Sequence, residues 1–362
     1  MKITINYTKV FAAILLISMG ACKSEFDNIT IKRFALDEDQ SQVLQGLADI
    51  EKAIITDWST FTDSLKNSTK RFIASPSANT LADVQTKWKQ ARDPWESNES
   101  FGFGPVGNDG IDGNTDDWPM DINSINSILA SNQTLNAQFV SQMATNTRGF
   151  HAIEYLLFGR NGAKTFGDFS TREYQLINLL VADLKSQSDL LKTRWIPNVA
   201  NSFYDDFKNG GQGNSSYPTA ATALAEVLGA MTDIMTELPD AKIEDPLTKQ
   251  SIDYLESRFS DYSYHDFRNN ITGVLVAYSG KYGNVVADKS ISNLVAEANP
   301  AVNDKVLTQF KLCLALYDLI QPASMNQGIF TRQNQLRDLQ DELRKLNQLL
   351  SVDVTSVLGI GE

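Results

Sequence analysis

Residues 36–67, LDEDQSQVLQGLADIEKAIITDWSTFTDSLKN, restrict the fold most, because they contain no proline and only one glycine, Gly46. Apolar residues recur there every three or four positions, which is the period of one face of an α-helix. The same period returns in residues 171–195 and 331–354, and the latter place five leucines on one face: Leu336, Leu339, Leu343, Leu346 and Leu350. No segment alternates convincingly with period two. The sequence therefore predicts an all-α fold.

The 362 residues are enough for two domains of ordinary size. The clearest interruption is KNGGQGNSSYP, residues 208–218, which is rich in glycine and serine. We therefore predict two tandem helical bundles, an N-terminal one over residues 35–209 and a C-terminal one over residues 210–362. Within the first bundle, Asn79 or Thr80 is the candidate N-cap of a helix that Pro94 is expected to kink or restart.

The N-terminus has the pattern of a secretion signal. Lys2 and Lys9 lie on either side of a polar start, and the apolar run VFAAILLISMGA that follows is too short to span a bilayer. Small residues then precede Cys22, as in a lipobox, although an ordinary signal peptide followed by a chance cysteine would look similar. We predict a lipoprotein signal peptide over residues 1–21, lipidation of Cys22 and a tether over residues 22–34. The protein would then lie in the cell envelope, lipid-anchored to the outer membrane on its periplasmic or external face.

The net charge of −12 argues against nucleic acid as a partner. Phosphate backbones are bound by clustered lysine and arginine side chains, and the sequence contains no such cluster.

The segment RGFHAIEYLLFG contains one of only two histidines, His151, three residues before Glu154. On a helix these side chains share a face, and an imidazole with a carboxylate suits iron, zinc or manganese. The His-Glu-x-x-His motif of zinc proteases is absent, and Tyr155 stands where a His-x-x-Glu-His motif needs its second histidine. Spacing alone therefore leaves open a metal site or a structural His–Glu hydrogen bond in a core.

Two further segments contain candidate site residues. His265 adjoins Asp266, and Asn270 follows one helical turn later; adjacent helical residues point apart, so His265 and Asp266 are not expected to face one ligand. KWKQARDPWESNESFGFGPVG places a set of side chains at helical spacing that could line a pocket or pack on a bundle surface: Trp88, Arg92, Trp95, Glu96 and Glu99.

The stretch NDGIDGNTDD, residues 108–117, supplies four aspartates. It does not follow the spacing of a calcium-binding EF-hand loop, so we expect a solvated turn there.

Taken together, these segments resemble the imelysin family. GFHAIE, residues 149–154, resembles its Gly-x-His-x-x-Glu signature. Further blocks resemble family segments in the expected order: KWKQARDPWESNESFGFGP, DDWPMDINSI, DFRNNITGVLVAYSGKYG and SVLGIG.

The resemblance implies an extracytoplasmic protein of two helical bundles with the signature near their interface. It also implies iron regulation or uptake, with a divalent or trivalent metal ion, iron or zinc, bound through His151 and Glu154. Asp266 is a possible third metal ligand. The matching blocks add Trp88, Arg92, Glu96 and Asn270 as ligand-binding candidates.

Three functions are consistent with these observations. The first is an envelope lipoprotein that captures a metal or a metal-bearing ligand between its bundles, with a possible transport partner in the outer membrane. The second is a metallopeptidase in which Glu154 is a ligand or general base. The third is a non-catalytic module that binds a polysaccharide or a protein, with His151 and Glu154 in a structural role.

Overall fold

The structure is a computed structural model that describes the backbone of residues 7–360 and the side chains of residues 39–360. The predicted signal peptide, the Cys22 thiol and the tether lie outside the residues whose side chains are described. None of the described helices is both long enough and apolar enough to cross a membrane.

Seventeen α-helices account for most of the described chain. They are α1 (Tyr7–Ala74), α2 (Ala78–Asn98), α3 (Pro105–Asn108), α4 (Ile111–Asp116), α5 (Ile122–Ala130), α6 (Ala137–Ser141), α7 (Gly149–Phe158), α8 (Thr171–Arg194), α9 (Phe203–Lys208), α10 (Ala220–Glu237), α11 (Glu244–Lys249), α12 (Ser263–Ser279), α13 (Ile291–Ala298), α14 (Pro300–Asp318), α15 (Met325–Thr331), α16 (Gln333–Gln348) and α17 (Thr355–Leu358). The 3-10 turns are Glu99–Phe101, Thr145–Thr147, Phe166–Asp168 and Ile252–Tyr254, and two π-helical segments are Leu238–Ile243 and Leu349–Val354.

This architecture confirms the all-α prediction. One small exception is a two-stranded antiparallel hairpin, β1 (Lys281–Tyr282) with β2 (Val285–Val286). The five leucines predicted to share one face of the helix that starts near residue 331 are all buried. The Gly/Ser-rich segment forms the loop between α9 and α10, as its composition indicates.

Helix α2 differs from its prediction at the N-cap and continues through Pro94. Its N-cap is Ser77, whose side chain accepts a hydrogen bond from the Thr80 backbone N–H while Thr80 bonds back, so neither Asn79 nor Thr80 is the cap. The helix also runs through Pro94 to Asn98 without a restart. Proline has no N–H and so forfeits one helical hydrogen bond, which burial of this helix face outweighs; Trp88, Ala91, Arg92 and Trp95 are all buried.

The two halves of the chain meet along several helices. Helix α1 packs against α2 and α8 of the first half and against α10 of the second, while α12 packs against α2. The buried apolar side chains form one cluster that extends from Val43 to Leu358. The division into two domains at residues 209 and 210 stays a prediction, and the α2–α12 contact is where the site described below lies.

Candidate metal centre

Two glycines let the helices approach closely enough to form the site. Gly149 begins α7 with a φ of +69°, and a Cβ there would lie 2.1 Å from the backbone oxygen of Thr115. Gly273 in α12 packs on α2, and a Cβ there would lie 2.4 Å from the backbone oxygen of Ser97. Contacts this short exclude any side chain, so glycine at these positions brings α7 against the end of α4, and α12 against α2.

His151 lies at the first of these junctions and is almost completely buried. Its Nε2 atom is 3.0 Å from Asp116 Oδ1 and its Nδ1 atom is 3.3 Å from Glu154 Oε2. Burial and the nearby charge of Arg92 lower the pKa of His151, but the carboxylates of Asp116 and Glu154 outweigh them and raise it to about 9. The imidazole is therefore held between two carboxylates.

Glu154 joins the two halves of the chain. Its Oε1 atom accepts hydrogen bonds from the backbone N–H and the hydroxyl of Ser260, at 2.8 and 2.7 Å, in the segment before α12. The other oxygen faces His151, so this carboxylate fixes the orientation of the imidazole ring.

Arg92, which projects from α2, lies at the second junction and is fully buried. Its guanidinium forms ion pairs with carboxylates from four parts of the chain: Glu96, Asp116, Glu256 and Asp266. Burial opposes the charge, but these four carboxylates raise the pKa of Arg92 well above its usual value. Arg92 therefore remains a cation in the folded protein.

Lys242 supplies a second buried cation from the π-helical segment. Its Nζ atom lies 3.0 and 3.1 Å from the two oxygens of Glu256 and 3.9 Å from Glu96 Oε2. Burial lowers the pKa of Lys242, but Glu256 and Glu96 outweigh it and raise the pKa well above its usual value. Short π-helical insertions of this kind often occur at functional sites.

The carboxylates differ in how they respond to this environment. Burial raises the pKa of Asp116, but Arg92 and His151 outweigh it and hold the pKa well below its usual range. Burial raises the pKa of Asp266 to about 7, opposed by the charge of Arg92. Burial also raises the pKa of Glu96 well above its usual value despite Arg92. At neutral pH, Asp116 is thus the firmly charged oxygen donor beside His151.

Three of these side chains are close enough together that they could hold a metal ion. Asp116, His151 and Glu256 each offer one donor atom, and the three atoms lie within 4.8 Å of one another. One nitrogen and two carboxylate oxygens suit iron, zinc or manganese. Glu154 hydrogen-bonds the opposite ring nitrogen of His151, which is the usual arrangement behind a metal-bound histidine.

The residues predicted from the sequence divide into three groups. His151, Glu154, Arg92, Glu96 and Asp266 come together in the buried cluster. Trp88 and Asn270 support it, since Trp88 Nε1 donates to the Phe150 carbonyl at 3.0 Å and Asn270 Nδ2 donates to Glu96 Oε2 at 2.9 Å. His265 lies apart, exposed and stacked on the Tyr262 ring.

Sequence analysis missed Asp116 and Glu256 as site residues. The prediction of a solvated turn is wrong for Asp116, because residues 111–116 form α4 and its carboxylate is buried beside His151. Its position at the start of the DDWPMDINSI block was the available signal. Glu256 lies in a connecting segment without a recognisable motif.

An acidic cavity of about 130 Å³ adjoins the cluster. Trp95 forms part of its wall and donates its indole N–H to Asp116 Oδ2 at 2.7 Å. Glu99, Asp112 and Glu237 also line it, and burial together with the charge of Asp116 raises the pKa of Asp112 to about 6. The cavity thus places three more carboxylates beside the tryptophan that donates to Asp116.

Comparison with known proteins agrees with this architecture. The family model described as imelysin matches residues 52–352. Iron-regulated protein A of Synechococcus elongatus is 33% identical over 264 residues, which cover 72% of this chain and 70% of that protein.

Two solved structures share the fold. One, described as an iron-regulated protein A precursor from Parabacteroides distasonis, has a TM-score of 0.73 at 25% identity and covers 90% of this chain and 94% of its own. An imelysin-like protein from Psychrobacter arcticum has the same TM-score at 15% identity and covers 90% of this chain and 96% of its own. By the extent of the family match and the identity to the Synechococcus relative, the chain belongs to the imelysin family.

Proposed function

We propose that this protein binds a divalent or trivalent metal ion, with iron as the physiological candidate, and that it serves iron acquisition. The observation that carries the proposal is the convergence of Asp116, His151 and Glu256 within 4.8 Å. These residues come from α4, α7 and the segment before α12, so the site exists only in the folded chain. The relatives named for iron regulation support iron as the metal.

The donor atoms of the cluster support a cation as the ligand. Five carboxylates lie with three basic side chains: Glu96, Asp116, Glu154, Glu256 and Asp266, with Arg92, Lys242 and His151. Because burial raises the pKa of Glu96 and of Asp266, the support comes from carboxylate oxygens beside an imidazole nitrogen rather than from an excess of negative charge. His151 would supply nitrogen, Asp116 and Glu256 oxygen, and Glu154 would hold the imidazole in place.

The same contacts favour binding over peptide hydrolysis. A zinc hydrolase needs a general base beside an open water position. Glu154 instead accepts two hydrogen bonds from Ser260 and faces His151, while Asp116 and Glu256 are paired with Arg92. Chelator-sensitive cleavage of a peptide library that Glu154→Gln abolishes would establish the peptidase instead.

Calorimetric titration tests the proposed binding function. We expect the wild-type protein to bind Fe²⁺ and Zn²⁺ at one site, His151→Ala to lose that binding, and His265→Ala to keep it. Identical titrations for wild type and His151→Ala would contradict the proposal. If Glu154→Ala then lowers only thermal stability, the site is structural and a polysaccharide or protein becomes the candidate ligand.

We further propose that the protein is an envelope lipoprotein anchored to the outer membrane through Cys22. The proposal rests on the apolar run that ends in Met-Gly-Ala-Cys. Replacing Cys22 with serine should move the protein from the membrane fraction to the soluble fraction and abolish incorporation of labelled fatty acid. Retention of the label in that variant would contradict it.

A further inference from the structure

The guanidinium of Arg92 occupies the carboxylates that a metal ion would use. One terminal nitrogen pairs with Asp116, and the other lies 3.0 Å from Glu256 Oε1. These are the two oxygen ligands of the candidate centre. A metal ion on both carboxylates would stand beside a fixed positive charge in a buried setting, where like charges repel strongly.

The same guanidinium also faces two further acceptors. Glu96 Oε1 lies 2.5 Å from the terminal nitrogen that also faces Glu256, and Asp266 Oδ1 lies 3.4 Å from Nε. Asp266 is fully buried beside the Ser257 hydroxyl, yet neither of its carboxylate oxygens accepts a hydrogen bond of good geometry within the described part of the chain. Buried carboxylates without a well-placed donor are rare in folded proteins, so Asp266 has capacity for a further one.

The nitrogen donors of Arg92 are also incompletely hydrogen-bonded. Nε and one terminal nitrogen are buried and make close ion-pair contacts, but neither forms a hydrogen bond of good geometry among the described residues. An arginine and an aspartate that are both under-satisfied and lie 3.4 Å apart can improve their pairing by a small shift of the guanidinium.

We propose that Arg92 is an internal counter-ion that a metal ion displaces from Asp116 and Glu256, and that Asp266 receives the displaced guanidinium. This inference rests on the proposed metal-binding function. The measured metal affinity then describes an exchange of one cation for another. Arg92 lowers this affinity, because the metal ion must displace the guanidinium. Asp266 raises the affinity, because it stabilises the state in which Arg92 has left Asp116 and Glu256.

Zn²⁺ titration of the full chain, followed by calorimetry and by thermal unfolding, tests the exchange. Arg92→Gln removes the charge and keeps amide donors, so it should bind Zn²⁺ at least about tenfold more tightly than wild type, as expected for a typical coupling between two sites. Its melting temperature should also rise more on Zn²⁺ addition. Lys185→Gln, which removes another buried cation that pairs with Asp189, is the matched control and should bind like wild type.

A double-mutant cycle identifies the role of Asp266. Asp266→Asn should weaken Zn²⁺ binding by about tenfold in the wild-type background and leave it unchanged in the Arg92→Gln background, because the displaced charge is then absent. If Arg92→Gln fails to fold without metal, Arg92→Lys serves instead. Lysine keeps the charge but lacks the planar fork whose separate nitrogens contact Asp116 and Glu256, so the Zn²⁺ affinity of Arg92→Lys should exceed that of wild type.

Failure of the proposed metal binding and failure of the counter-ion exchange give different results. Equal weak binding by wild type and His151→Ala would contradict the proposed function itself. Binding that depends on His151 but is unchanged or weaker in Arg92→Gln and Arg92→Lys would overturn the counter-ion role. An equal effect of Asp266→Asn in both backgrounds would show that Asp266 does not receive the guanidinium.

Discussion

The two histidines of this protein occupy opposite environments. His151 is buried with a carboxylate against each ring nitrogen, at 3.0 and 3.3 Å, whereas His265 is exposed and stacks on Tyr262 with a ring separation of 4.3 Å. The pKa of His151 is raised to about 9, while partial desolvation of its ring lowers the pKa of His265. A histidine is therefore not a candidate metal ligand by residue type alone. His151 differs from His265 because carboxylates orient and polarise its ring.

The largest predicted effect is the loss of folding stability when His151, but not His265, is replaced by alanine. His151→Ala should lower the free energy of unfolding by about 3 kcal/mol or more, because it leaves buried carboxylates with one partner fewer. His265→Ala should change it by less than about 0.5 kcal/mol, as is usual for surface positions. Urea denaturation at pH 7 with a chelator present measures both, and equal losses would remove the distinction between the two histidines.

Sequence periodicity was enough to predict the all-α class and the long helices of this fold. The burial of Leu336, Leu339 and Leu343 follows directly from their spacing, since helix geometry depends on local sequence. His151 and Glu154 were also predictable, because both belong to one turn of α7.

The remaining site residues could not be derived in this way. Glu256 reaches Arg92 only because α12 packs on α2, and no local pattern encodes a contact between residues so far apart in sequence. Asp116 looked like part of a polar turn, because its burial depends on the close approach of α7 at Gly149. The tertiary packing was therefore the part of the site that could not be predicted from the sequence, whereas the chemistry of the side chains could.

The second prediction concerns pH. In metal-free protein, the NMR signal of His151 should titrate near pH 9 and that of His265 below 6.5. Because the folded-state pKa of His151 exceeds its unfolded value of 6.5, its stabilisation is complete below pH 6.5 and is lost as the pH rises through 9. The loss should be about 3 kcal/mol in wild type and absent in His151→Ala. Two signals that titrate together would contradict the contrast.

The third prediction tests the backbone that positions His151. Gly149→Ala should cost about 2 kcal/mol or more and weaken Zn²⁺ binding, because the new Cβ would displace α7 from Thr115 and thus from Asp116. Gly283→Ala is the matched control, since Gly283 also has a positive φ of +54° but nothing within 4 Å of the new Cβ. It should cost only about 1 kcal/mol and leave binding intact. Denaturation and calorimetry on both variants separate the effect of the steric clash with Thr115 from the cost of placing alanine at a positive φ.

The smallest effect is predicted for Glu154→Gln, a variant that weakens one of the two carboxylate contacts of His151 and so makes its environment more like that of His265. Glu154→Gln keeps an acceptor for Ser260 but replaces the charged partner of Nδ1 with a neutral amide. Zn²⁺ affinity should fall by about 10- to 100-fold, the usual consequence of losing a carboxylate behind a metal-bound histidine. Glu173→Gln, which removes a carboxylate that bonds Lys164 and Ser170, should leave Zn²⁺ affinity unchanged. Unchanged affinity in Glu154→Gln would mean that Asp116 alone orients the imidazole, and the signature glutamate would then be needed for stability rather than for binding.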